Sequence, residues 1–240
     1  MRGELTLYGG ARYALPELLQ WDVRLTGGVP CDSFTFQCLY QPEQAPLLEQ
    51  AWRITLEDGE KFYLHGVVDE YELVQGEQGR LLTISGRGMA ALLLDNESTA
   101  VEYGRPTLSE LLRNHVNPYG ISWEPFTELR GEGVYAVASG SSQWKALSGF
   151  TRCCGGFEPR MTPKGVLQVT PWRDSGVRHV IDEKTPVLEL RWRDKRYGVY
   201  SEVLVAAAAG CCTPRANPRR MLCATPGRIR SSSPNRTRSF

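Results

Sequence analysis

Residues 51–95 read AWRITLEDGEKFYLHGVVDEYELVQGEQGRLLTISGRGMAALLLD, and their pattern decides the fold. Trp52, Ile54 and Leu56 alternate with Arg53, Thr55 and Glu57, the period-2 signature of a strand with one buried face. Asp58-Gly59 supplies a tight turn, because glycine accepts the positive φ that a short connection needs. Phe62 and Leu64 continue the alternation to Gly66, after which the apolar set shifts to Val67, Tyr71 and Leu73. A one-residue slip at a glycine predicts a β-bulge there. Gln75 to Gly79 makes the next turn, and Leu82 and Ile84 carry a third strand. Ser85-Gly86-Arg87-Gly88 then closes into a short apolar helix. A curled meander of this kind belongs in a small barrel or sandwich.

Working outward, the text before this stretch is also strand-like. Glu4 to Tyr8, Trp21 to Thr26 and Ser33 to Tyr40 are three further strands, with Phe34, Phe36 and Cys38 sharing one face of the last. Residues 1–96 are therefore expected to form an antiparallel β-barrel-like domain. The character changes after Asn96. Thr107 and Glu110 have capping-box spacing ahead of Leu108, Leu111 and Leu112, so a helix of about two turns should stop near Asn117-Pro118. A second helix should start at Ser141 or Ser142 and end at Gly155-Gly156, followed by strands Phe157 to Thr162 and Val166 to Thr170. This reads as a small α+β domain over residues 97–174. Val177 to Ile181, Val187 to Trp192 and Tyr197 to Val205 are strand-like again, so residues 175–205 return to the first barrel or start a second barrel portion. The fold class is α+β, mainly β.

Residues 206–240 break the pattern. They hold seven arginines, four prolines, three cysteines and no carboxylate, with no period that could pack. Three readings fit: a basic arm for an anionic partner, a disordered tail, or an arginine- and proline-rich stretch translated out of frame. Those seven arginines exceed the whole-chain charge of +1, so residues 1–205 carry a net −6. An acidic body argues against a nucleic-acid surface. No apolar run reaches the roughly 18 residues of a membrane span. The N-terminus lacks a signal-peptide core, which makes synthesis without secretion the expectation.

Chemistry-bearing constellations are scarce. Of the seven cysteines no two have CxxC spacing, and reduced structural cysteines are expected, with no metal site. His65 reads as a surface or edge residue of a strand, His115 as a helix C-terminal residue whose charge suits the dipole, and His179 as a strand residue among polar neighbours. Glu70 and Glu72 fall on the outer face of a strand, where solvated charge is ordinary. Neither Ser85-Gly86-Arg87-Gly88 nor Ser139-Gly140-Ser141 is a phosphate-binding loop. The expectation is a non-enzyme with no catalytic, cofactor-binding or metal residues, no cofactor and no small-molecule substrate.

Two motifs carry a resemblance: Gly66-Val67-Val68-Asp69, and Ser85-Gly86-Arg87 followed by Leu92-Leu93-Leu94-Asp95. Together with the capped helices, Gly155-Gly156-Phe157 and Arg196 to Val205, they make the chain resemble the baseplate tail-hub proteins (late control D, Mu-type) of contractile-tailed phages and prophages, over residues 3–205. Gly88 stands where that family usually has an acidic residue, and the resemblance ends at Ala206, short of a complete second barrel. It implies a structural protein of the virion tail baseplate, a homotrimer whose barrel portions form a ring joining tail tube to spike. The alternatives from other classes are a nucleic-acid-binding barrel with a basic C-terminal arm and a tail-associated carbohydrate hydrolase.

Overall fold

The computed structural model describes residues 1–26, 30–77, 79–173 and 176. In chain order the sheet strands are β1 (Arg2–Leu7), β2 (Arg12–Ala14), β3 (Leu18–Arg24) and β4 (Ser33–Leu39). After a helical turn, α1 (Ala45–Leu48), come β5 (Ala51–Asp58), β6 (Lys61–Gly76) and β7 (Gly79–Gly88). The short α2 (Ala91–Leu94) leads to β8 (Val101–Gly104), α3 (Leu108–His115), β9 (Val134–Val137), α4 (Gln143–Gly155), β10 (Arg160–Met161) and β11 (Leu167–Gln168). The expected strands between 177 and 205 and the tail 206–240 lie outside the described residues.

The first seven strands make one antiparallel sheet in the order β2-β1-β5-β6-β7-β4-β3. The class is mainly β as expected, but among the described residues the hydrogen bonding of this sheet does not close into a barrel. The two edges, β2 and β3, are neighbours in the chain, and among the described residues no ladder joins them. Leu18 at the start of β3 lies against Gly3 of β1, where an added Cβ would sit 3.7 Å from Leu18 Cδ1. Leu5, Ile54, Leu56, Leu64, Leu82, Ile84, Phe34, Phe36 and Cys38 line the concave face and form one apolar cluster, so the alternation read from the sequence is the alternation that is buried.

The bulge predicted at Gly66 lies elsewhere. Two residues of β6 are extra in the ladders: Tyr63, between the pairs Glu57–Phe62 and Leu56–Leu64, and Asp69, between Val68–Gly86 and Glu70–Ser85. The parity shift is therefore real but three residues further on. Gly66 answers to a different demand, the close approach of two strands over a ring. A Cβ on Gly66 would lie 2.5 Å from the Arg87 carbonyl oxygen and 3.0 Å from Phe34 Cε1. Tyr71 and Leu73 depart from expectation as well, being 41% and 46% exposed. They pair with the buried Ile84 and Leu82 on one side, but β5 reaches only to Val67 on the other, so nothing in the sheet covers them.

A second apolar cluster is built from α2, α3, α4 and the short strands, with Met89, Ala90, Leu93, Leu111, Leu112, Leu147 and Phe150 at its centre. Helix α3 starts where the spacing predicts, with Thr107 Oγ1 accepting from the Glu110 amide at 3.2 Å. Helix α4 starts at Ser142, whose Oγ accepts from the Lys145 amide at 3.2 Å, and ends at Gly156 in the left-handed conformation. The hairpin β10–β11 is much shorter than expected, and the pairing of β8 with β9 has no counterpart in the sequence reading. The turn of the hairpin meets β6: the His65 amide donates to the Pro163 carbonyl at 2.7 Å, and Gly165 lies against Met89 and the His65 ring.

Candidate assembly surface

The motif residues singled out in the sequence meet around one guanidinium. Arg87 on β7 donates to both oxygens of Asp69, at 2.7 and 3.0 Å, and to both oxygens of Asp95, at 3.0 and 2.6 Å. Asp69 is the bulge residue of β6, and Asp95 ends α2, so one side chain ties the bend of the sheet to the start of the second cluster. The Asp69 bonds and then the Asp95 bonds hold the Arg87 guanidinium protonated well beyond its ordinary range, and Arg87 holds the Asp95 carboxyl below its own. All three side chains are a third or more exposed, so the clasp sets geometry more than it adds stability.

The histidines are placed otherwise than expected. His65 is half-buried, with Nδ1 3.2 Å from Thr55 Oγ1. His115 is buried: its ring lies 2.9 Å from the Tyr103 hydroxyl through Nε2 and 2.6 Å from Gln143 Oε1 through Nδ1. Gln143 in turn donates to the Glu97 carbonyl at 3.0 Å. A neutral imidazole fits this arrangement, not the solvated cation that a helix C-terminus would favour. Burial lowers the basicity of both rings, assisted at His65 by Arg53 and Arg12 and opposed at His115 by the Gln143 bond. The unfolded chain therefore takes up protons below pH about 6.5 that the folded chain refuses. Stability is level above that pH and falls below it. The urea midpoint should be lower at about pH 5 than at about pH 7.5, and His115→Gln should reduce that difference. His179 lies outside the described residues.

The remaining residues weighed in the sequence are dispersed. Glu70 and Glu72 are exposed on the convex face, as the alternation predicts. Cys31 and Cys38 are free thiols pushed up to about 11 by burial, and Cys153 is free, whereas Cys154 carries a disulfide and so departs from the expectation of reduced cysteines. Among the described residues no cluster of three or more potential metal ligands occurs, and no helix is long and apolar enough to cross a membrane. An open groove of about 1400 Å³ runs past Trp144, Phe157 and Trp172, but its Arg152 and Arg160 are engaged by Glu158 and Gln168, each at 2.8 Å.

The surface feature that stands out is a pair of strand edges. Over the upper half of the sheet only four strands are present, in the order β6-β7-β4-β3, because β5 pairs with β6 no further than Val67. Among the described residues neither β6 from Glu70 to Gly76 nor β3 from Leu18 to Arg24 has a strand on its outer side. Directly opposed residues run Trp21, Phe36, Ile84, Tyr71 across this block. The row begins and ends on half-exposed rings: Trp21 is 46% exposed and Tyr71 41%, around a buried centre. The covered part of Trp21 leans on the Tyr63 ring, with centroids 6.4 Å apart. Sequence reasoning found the strands but missed the edges, since which strand lacks a neighbour is a property of the sheet order.

No family model matches the sequence, and no curated protein matches it. Solved structures do. The crystal structure of the tail protein from Neisseria meningitidis MC58 superposes with a TM-score of 0.63 at 17% identity, covering 84% of this chain and 63% of that one. The fold is similar to that of this tail protein. The 43 kDa tail protein of prophage MuSo2 from Shewanella oneidensis has a TM-score of 0.49 at 18% identity, covering 70% of this chain and 53% of that chain. Prophage tail protein gp18 from Listeria monocytogenes EGD-e has 0.43 at 12% identity, with coverages of 70% and 50%. The chain thus spans less than two thirds of the length of these tail proteins.

Proposed function

We propose that this chain is a non-enzymatic structural component of a phage or prophage tail baseplate hub, which self-assembles into a ring, as a homotrimer, between tail tube and spike. The observation that carries this reading is the fold likeness to the Neisseria tail protein over 84% of the chain. Two further features support it. The motif residues behind the hub resemblance, Gly66, Asp69, Arg87 and Asp95, converge at one bend of the sheet. The large sheet also offers two apolar-lined edges, as a subunit that joins copies through strands requires. In this reading residues 1–96 carry the joining surface and residues 97–174 form a small module beside it. The product belongs in the virion tail. The exposed part of β6 carries Glu70 and Glu72, which disfavours a nucleic-acid platform.

Light scattering of the full chain across a concentration series tests the reading. The expected result is a concentration-dependent species of three times the 26.9 kDa monomer, and a companion tail-tube protein should co-elute with it. A strict monomer that ignores the tail-tube protein would overturn it.

A further inference from the structure

On the face of the large sheet turned away from its apolar cluster, Arg12, Thr6, Arg53, Val67 and Arg87 are directly opposed in one row from β2 to β7. A strand spacing of about 4.8 Å puts each outer arginine about 10 Å from Arg53 at the backbone. Charges held against a sheet are ordinarily answered by an opposite charge or by water. The outer two have acids of their own: Arg12 pairs with Glu4 at 3.3 Å, and Arg87 with Asp69 and Asp95. Arg53 has none. Among the described residues it takes part in no ion pair, and its Nε is sealed from water without a hydrogen-bond partner. Packing holds the guanidinium instead: its Cζ lies 3.7 Å from the centre of the Trp52 ring, and Nη2 would be 3.8 Å from a Cβ on Gly120. Trp52 is fixed in turn, its indole N–H donating to the Leu7 carbonyl at 3.1 Å. Its ring stacks on Tyr8, with centroids 5.9 Å apart and planes 5° apart. Burial lowers the basicity of Arg53, whereas the two acids raise that of Arg87.

We infer that Arg53, backed by Trp52 and Tyr8, is a docking point for an aspartate or glutamate side chain of a different protein. A pre-placed guanidinium offers a carboxylate a planar set of N–H donors, and a monoanion balances its single charge. A phosphate dianion or a nucleic-acid backbone would ask for more cations, and Arg12 and Arg87 are already neutralised. Trp, Tyr and Arg are the residue types that anchor protein interfaces, and Tyr8 is 74% exposed beside the site. The acids nearest the row, Glu4, Asp69 and Asp95, are spent within the chain, so a second copy presenting the same face has none to give. The site stands on these contacts alone and is independent of the hub reading.

The Trp52 indole N–H reports on the site by NMR of the full-length, nitrogen-15-labelled chain, which has six tryptophans. Trp52→Phe identifies the resonance by its loss. The probe is N-acetylglutamate methylamide at constant ionic strength, with the neutral glutamine analogue and inorganic phosphate in parallel titrations. The glutamate probe should shift the Trp52 resonance saturably, and the glutamine analogue should leave it in place. Arg53→Gln should weaken the glutamate probe about tenfold or more, from the loss of charge-assisted hydrogen bonds. Arg12→Gln, at an arginine already paired, should leave its affinity unchanged. The other indole resonances, held at their wild-type positions, confirm folding. If Arg53→Gln misfolds, Arg53→Lys keeps the stem and charge without the fork, and should weaken the probe several-fold. No saturable shift, an equal response to the glutamine analogue, or full affinity in the folded Arg53 variant would overturn the site. Tighter binding of phosphate would overturn the carboxylate assignment. A Trp52 resonance that moves when the wild type alone is diluted would give the acid to a second copy and overturn the assignment to a different protein.

Discussion

Gly86→Ala is expected to lower the thermal midpoint of the chain by about 6–12 °C, from a loss of about 3 kcal/mol. At this position β7 crosses β6 with the Phe34 ring beneath the crossing. A methyl group there would press on the Val67 carbonyl oxygen and lie 2.7 Å from Phe34 Cζ. The first obstacle is sheet backbone, which cannot rotate away, and the second is a ring 3% exposed in the core. Both strands would have to separate, loosening the ladder on either side. Gly76→Ala is the matching control, because a Cβ at Gly76 meets nothing within 4 Å. A Gly86→Ala protein that melts with the wild type, while Gly76→Ala also does, would show that the close approach is not a constraint.

The second large effect is expected at Phe150. Its side chain is fully buried on α4, and its ring meets Tyr135 edge-on at 5.5 Å. Tyr135 in turn donates to the Ala146 carbonyl at 2.7 Å, so the pair fastens β9 across the helix. Phe150→Ala leaves a cavity among Leu111, Leu147 and their neighbours and should cost about 3–5 kcal/mol, with the edge-on ring contact included in that loss. The urea midpoint should fall accordingly with the slope unchanged, whereas Trp172→Ala, at a residue 75% exposed, should leave it in place. Equal midpoints for the two variants would mean that the second cluster does not contribute to the cooperative unit.

How much of this was legible in the sequence depends on the distance over which each feature is decided. Ile54 and Leu56, or Phe34, Phe36 and Cys38, reveal their buried face by local alternation, and that face is the concave one observed. Thr107 and Ser142 reveal helix starts because a cap is a contact three residues long. Strand β2 has only three residues, and β8 finds its partner more than thirty residues away, so neither leaves a periodic trace. Tyr71 and Leu73 look like core residues in alternation. Their exposure follows from where β5 ends, which is a fact about a different strand. His115 was misread for the same reason. Its helix position is local, but Tyr103 and Gln143, which keep it neutral, come from β8 and the start of α4. The assembly surface was least legible of all, because an edge is defined by the neighbour it lacks.

The guanidinium of Arg87 reaches carboxylates eighteen residues before it and eight residues after it. Removing Arg87 would leave two carboxylates facing each other, and removing either carboxylate would leave the remaining fork half-filled. Replacement of one member therefore changes the setting of the other two. For mutation these are three separate codons. For selection, Asp69, Arg87 and Asp95 are a single inherited character.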